Sequence, residues 1–127
     1  MIVRIWRGWT ARADGDAYEK YMRDVALPGY GTVPGNRGGY LLRREETRAE
    51  RASRHSPSRS DVPSGARAES EREEFCMVTA WESWDAIRAF AGDDPERAVF
   101  YPEDDRYLVE RETRVTHYDA YATLPAR

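Results

Sequence analysis

Apolar residues fill both faces of Phe75-Cys76-Met77-Val78-Thr79-Ala80-Trp81, with Thr79 the one polar position. A central β-strand covered on both sides reads this way. Ser83 follows as a helix cap. Trp84, Ile87, Phe90 and Ala91 then recur at the three- and four-residue spacing of one helical face. Gly92 ends that helix. Asp94-Pro95 predicts a new N-cap with proline at the first helical position, and so a short helical turn from Pro95 to Tyr101. A polar loop, Pro102-Glu103-Asp104-Asp105-Arg106, leads into Tyr107-Leu108-Val109.

The same reading extends in both directions. Ile2 to Thr10 is a strand with Ile2, Arg4 and Trp6 on one face and Val3, Ile5, Arg7 and Trp9 on the other. Charges set among apolar residues mark it as half-buried or as lining something. A helix starts at Asp14 or Asp16, with Tyr18, Tyr21, Met22 and Val25 on one stripe. It is expected to stop near Leu27-Pro28-Gly29. The glycine-rich run from Gly29 to Gly39 has neither GxxxxGK[ST] nor GxGxxG spacing, so it reads as a turn-rich connector. Tyr40 to Thr47 is a second strand whose charged end suits a sheet edge. Glu112 to Tyr121 is the last strand, with Thr113, Val115, His117, Asp119 and Tyr121 on one face.

Arg48 to Arg72 breaks the pattern. It is built of Arg, Ser, Ala, Glu and Pro, with Val62 its one large aliphatic residue. Such a segment buries too little to offset its ordering entropy, so a flexible insert at a hairpin tip is expected over 48–72. What remains of residues 1–127 is a single domain in the order β-α-β-β-α-β. That is the ferredoxin-like α+β arrangement, with an antiparallel four-stranded sheet and both helices on one face. The bare sheet face needs cover, and a second copy of the chain is the simplest cover.

Composition narrows this picture little. A net charge of −3 gives no pull toward nucleic acid or anionic membranes, and Lys20 is the sole lysine. One cysteine, Cys76, excludes an internal disulfide framework and fits a reducing, cytoplasmic setting. No apolar stretch approaches the length of a signal segment or membrane span. Four Trp and eight Tyr supply core packing, and also walls for a flat organic ligand.

Candidate chemistry is sparse. His117 is the one histidine outside the insert, which holds His55. Titrating near neutrality, it is a candidate base for a phenolic proton, against the plainer role of a structural strand residue. The run Glu103, Asp104, Asp105 reads as a solvated charged loop. It does not combine with His117 into a metal site, and no nucleophile motif such as GxSxG is present.

Five segments, MIVRIWRGWT, GYLLRREE, VTAWESWDAIRAFAG, AVFYPEDDRYL and VTHYDAY, resemble the antibiotic-biosynthesis monooxygenase superfamily. The similarity covers nearly the whole chain outside the insert. It implies a homodimeric α+β barrel with a pocket between the sheet and the helices of each protomer. It also implies a cofactor-independent monooxygenase that oxidises an aromatic or polyketide-type small molecule with O2 as co-substrate. Under that resemblance Trp81, Tyr101 and Trp6 would bind substrate and His117 would be the catalytic residue. Haem-degrading relatives carry Asn, Trp and His where this chain has Trp6, Trp81 and Tyr101, so haem is not expected. Two other functions stay open: a non-oxidative cyclase or isomerase of the same fold, and a non-enzymatic ligand-binding or assembly protein.

Overall fold

The structure, a computed structural model, describes residues 1–47, 49–50, 52 and 71–126. It is an α+β fold built on a five-stranded antiparallel sheet. The strands are β1 (Ile2–Ala11), β2 (Asn36–Glu46), β3 (Arg72–Trp81), β4 (Leu108–Arg111) and β5 (Thr116–Asp119). Their order is β2-β3-β1-β4, with β5 also beside β1. The arrangement is compatible with a ferredoxin-like α+β fold.

The long central pairing is β1 with β3, from Ile2 opposite Trp81 to Ala11 opposite Arg72. This register puts Ile2, Arg4, Trp6 and Gly8 on the same face as Trp81, Thr79, Met77 and Phe75. The helices cover that face. Its core joins Phe75 and Met77 to Tyr18, Met22 and Ala26. A second cluster joins Ile2 and Trp81 to Ile87.

The expected last strand, Glu112 to Tyr121, is confined to β5 at Thr116–Asp119, and Leu108–Arg111 just before it forms a separate strand, β4, so the sheet has five strands and not four. Gly8 to Thr10 pair with β4 and Ile2 to Ile5 pair with β5, so the two short strands share one side of β1. Between them the chain leaves the ladder: Val115 N donates to Glu96 O at 2.8 Å and Ala98 N to Thr113 O at 3.0 Å. A continuous strand from Glu112 cannot make those bonds and also pair with β1. The outer face of β3 is half-buried at Cys76, Val78 and Ala80, unlike the helix-covered face.

The first helix does not stop at Pro28. It runs as α1 (Gly15–Tyr21), a π-helical segment Met22–Ala26, and α2 (Leu27–Gly31). Proline lacks an N–H and its ring crowds the carbonyl four residues back. The wider π turn, with Leu27 N donating to Met22 O, absorbs that conflict without ending the helix. Arg43 on β2 ties α1 to the sheet, reaching Asp16, Glu19 and Glu73 at 2.7–2.9 Å.

The helix α3 (Trp84–Ala91) forms as its sequence predicts. Ser83 Oγ accepts from Ala86 N at 3.2 Å, and Gly92 leaves the helix at φ 96°. Asp94 does accept from Glu96 N at 3.1 Å, yet no helix follows it. The helical turn is instead α4 (Asp104–Tyr107), nine residues beyond the predicted start.

Arg72 and Glu71, expected in the insert, are described residues, and Arg72 opens β3. Thr47 and Glu50 form a reciprocal capping box: Thr47 N donates to Glu50 Oε1 at 2.8 Å and Glu50 N to Thr47 Oγ1 at 3.2 Å. Of the expected insert, Arg48, Arg51 and residues 53–70 lie outside the described residues. No helix among the described residues is long and apolar enough to cross a membrane.

Candidate functional site

A cavity of about 20 Å³ lies between the helix-covered sheet face and the α1–α2 helix, with room for about one water. Its sheet wall is Arg4, Trp6, Met77 and Thr79. Met22 from the π segment and Tyr30 from α2 close it on the helix side. Phe90, Tyr101 and Asp104 complete the polar and aromatic rim. The π turn moves the buried position after Met22 from the expected Val25, 53% exposed, to Ala26.

Trp6 is held by its indole N–H, which donates to Glu112 O at 2.8 Å. Its ring folds over Gly8, where a Cβ would collide with the Trp6 ring carbons. Glycine two residues along the same strand face is therefore required for this indole position.

Asp104 was expected in a solvated loop, and the structure corrects that. It is 3% exposed and lines the cavity. Tyr18 Oη donates to its Oδ1 at 3.0 Å and Tyr101 N donates to its Oδ2 at 2.7 Å. Burial raises the pKa of this carboxyl, and the two donors only partly offset that. Each carboxylate oxygen keeps a further lone pair for a ligand. Tyr18 is itself held neutral, by burial first and by the Asp104 charge second.

Arg4 is 5% exposed. It donates to Pro95 O and to Arg97 O, the latter at 2.9 Å, and its Nη1 lies 3.1 Å from His117 Nε2. Its guanidinium sits 5.6 Å from the Phe90 ring centre. Burial lowers its pKa to about 10.

The predicted residues divide into two groups. Trp6 and Tyr101 line the cavity together. Trp81 and His117 do not. Trp81 is fully buried behind the wall, where its indole N–H donates to Thr79 Oγ1 at 2.9 Å and its ring stacks on Phe90 at 5.2 Å. Both of the residues it supports line the cavity. His117 lies behind Arg4, with Trp84 against its ring at 4.8 Å. Because an arginine can only donate, His117 Nε2 is the acceptor and the proton sits on Nδ1. That Nδ1 is buried with no partner among the described residues. Burial and the Arg4 charge lower the His117 pKa.

Tyr30 separates the cavity from an outer groove of about 130 Å³, lined by Gly31, Gly38 and Gly39 among others. Tyr30 and Thr79 line both spaces. Phe90 meets the Tyr30 ring edge-on at 4.9 Å, and no hydrogen bond fixes its hydroxyl among the described residues. A Cβ at Gly39 would collide with Val78 O, so the bare backbone there is a condition for the strand pairing that shapes the groove.

Sequence reasoning missed Asp104, Tyr18 and Tyr30. A signal for Arg4 was present, since it sits between Ile2 and Trp6 on one strand face. For Asp104 there was none: three consecutive acidic residues look alike until the turn decides which one is buried. Among the described residues no group of three or more His, Cys, Asp or Glu is arranged to hold a metal. No protein-family model matches this chain, and no curated protein matches it.

Proposed function

We propose that this chain is a cofactor-independent monooxygenase acting on an aromatic small molecule, working as a homodimer in the cytoplasm. The observation that carries the reading is a buried carboxylate, Asp104, at the rim of a cavity walled by Trp6, Tyr30, Phe90 and Tyr101. Such walls suit a flat ring. A carboxylate with a raised pKa is a stronger base than an exposed one, and a positioned base contributes roughly 10²–10⁴-fold.

Asp104 takes a proton from an acidic ring position or hydroxyl of the substrate. The resulting carbanion or phenolate gives electrons to O2. One oxygen atom ends as a ring carbonyl and the other leaves as water, the substrate supplying all four electrons. His117, first considered as the base, serves here by holding Arg4 from behind, since its Nε2 faces the guanidinium. Trp81 serves by supporting Phe90 and Thr79. Tyr30 swings aside to admit substrate, because about 20 Å³ is far below the roughly 300 Å³ of an ordinary ligand pocket.

The proton-transfer half of this chemistry also serves a non-oxidative isomerase or cyclase. Oxygen consumption separates the two. The test is O2 uptake by the purified chain with a panel of ionisable phenols and aromatic ketones, compared with Asp104→Asn. Uptake that falls at least about a hundredfold in the variant supports the reading. Substrate conversion without O2 uptake supports the isomerase. No conversion of any panel member leaves a binding or assembly protein as the better account.

The dimer rests on the outer sheet face. Tyr40, Leu42 and Tyr118 stand 71%, 48% and 58% exposed there. Val3, Ile5, Val78 and Ala80 lie between them, half-buried. Exposed apolar area of this kind marks an interaction surface.

A further inference from the structure

We infer that the cavity takes an aromatic ligand carrying an anionic oxygen, which pairs with Arg4. This rests on the proposal that the cavity is the ligand site, and it names the chemical class of the ligand. His117 is the positioning residue for the guanidinium.

Arg4 stands apart from the other arginines around the sheet. Arg7, Arg43, Arg44, Arg72, Arg111 and Arg114 each pair with at least one carboxylate. Arg4 is buried and pairs with none among the described residues. Its partners are two backbone carbonyls, one neutral imidazole and the face of Phe90. A buried cation without a counter-ion carries a large desolvation cost. Asp104, on the same cavity, accepts from Tyr18 Oη and Tyr101 N and forms no ion pair with Arg4 among the described residues.

The donor count leads the same way. A guanidinium has five N–H groups in a planar fork. Three are engaged by Pro95 O, Arg97 O and His117 Nε2, which leaves two beside a cavity that Arg4 lines. An oxyanion on a ring fills this vacancy. Its charge meets Arg4, and its ring meets Trp6, Phe90 and Tyr30. The oxyanion is either a carboxylate, permanently charged at neutral pH, or a phenolate or enolate. His117 holds Nη1 at 3.1 Å as a pure acceptor, which keeps the fork from rotating toward solvent.

The test uses the full chain and three probes of similar shape: 4-nitrobenzoate, 4-nitrophenol and its neutral methyl ether, 4-nitroanisole. Binding is read by equilibrium dialysis, and the absorbance of bound 4-nitrophenol reports its ionisation. The expected result is an affinity at least about tenfold higher for one or both anions than for the ether. A preference for benzoate identifies a carboxylate ligand. Bound nitrophenolate persisting below the free phenol's pKa identifies a phenolate or enolate. Arg4→Met should abolish the preference for the anions over the ether. If that variant does not fold, Arg4→Lys keeps the charge without the fork and should weaken the preference. His117→Gln should weaken anion binding alone. Equal affinity for ether and anions, no binding of any probe, or an undiminished preference in the Arg4 variant overturns the inference. Asp104→Asn and O2 uptake are measured in parallel. Anion preference without O2 uptake defeats the oxygenase reading alone, and O2 uptake without anion preference defeats this inference alone.

Discussion

The hydroxyl of Tyr18 donates to Oδ1 of Asp104 at 3.0 Å, joining α1 to the turn that begins α4. Tyr18 is fully buried and Asp104 nearly so. A hydrogen bond to a buried charged acceptor contributes about 1.5–3 kcal/mol. Tyr18→Phe keeps the ring and removes the donor, so it should cost about that much in chemical denaturation. The bond favours the charged carboxylate, so its loss should also raise the Asp104 pKa further. The pH at which activity reaches half its plateau should rise with it. A variant with unchanged stability and an unchanged pH profile would remove this bond from the site.

Asp104 should also leave a signature in stability against pH. Its folded pKa is raised above the ordinary 3.8, chiefly by burial. The fold therefore favours the protonated form. That contribution is fully present below the ordinary value and is lost as pH rises through the folded one. Asp104→Asn has no such titration. The stability of the wild-type chain minus that of the variant should fall as pH increases from about 3 to 7. A difference that stays level over this range would show that the carboxyl is not desolvated.

His117 behaves in the opposite sense. Its pKa lies below the ordinary 6.5, first through burial and then through the Arg4 charge. Its contribution is present above the ordinary value and is lost as pH falls through the depressed one. Proton NMR titration of the ring should give a midpoint under 6.5 with the neutral Nδ1–H tautomer. Arg4→Met should move that midpoint upward. A midpoint at or above the ordinary value would mean that the ring is not buried against the guanidinium.

The sheet and α3 were readable from residue pattern because each rests on local signals. Phe75 to Trp81 is apolar on both faces, and Ser83 and Gly92 bracket a helical stripe. Pro28 misled because its effect depends on what the helix does around it. A π turn tolerates the missing N–H, and only packing of Met22 and Ala26 on the sheet favours that turn over a helix stop. The last strand misled for a similar reason. Alternation from Glu112 to Tyr121 looks continuous, yet Val115 turns its N–H to Glu96. Within the site, Trp6 was legible from its strand face. Asp104 was not, since its burial depends on Tyr18, 86 positions away.

The outer sheet face yields a test of assembly. Leu42 and Tyr118 lie on β2 and β5, toward opposite edges of that face, and both are exposed. A stable pair of protomers buries on the order of 800 Å² on each. Leu42→Arg with Tyr118→Arg would put two unpaired charges into such an interface. Sedimentation should show dimer for the natural chain and monomer for the double variant. A natural chain that sediments as monomer at all concentrations would sink the homodimer.

Arg72 and Glu46 supply the sharpest test of the sheet's charged end. Glu46 is fully buried and Arg72 is 4% exposed. Arg72 Nη2 donates to Glu46 Oε1 at 2.5 Å and its Nη1 to Glu110 Oε1 at 2.7 Å. The Trp9 indole N–H donates to Glu46 Oε2 at 2.8 Å, and the Arg72 guanidinium lies 5.4 Å from the Trp9 ring centre. The two charges cost a good deal to desolvate, and their attraction roughly offsets that cost. Removing Arg72 takes a buried cation away from the Glu46 carboxylate. Arg72→Met alone should therefore destabilise by about 3–5 kcal/mol. Adding Glu46→Gln removes the carboxylate charge and keeps an acceptor for Trp9. The double variant should recover part of the loss, with a coupling of about 0.5–3 kcal/mol in a double-mutant cycle of denaturation free energies. Strict additivity of the two substitutions would show that the pair is not an interacting unit.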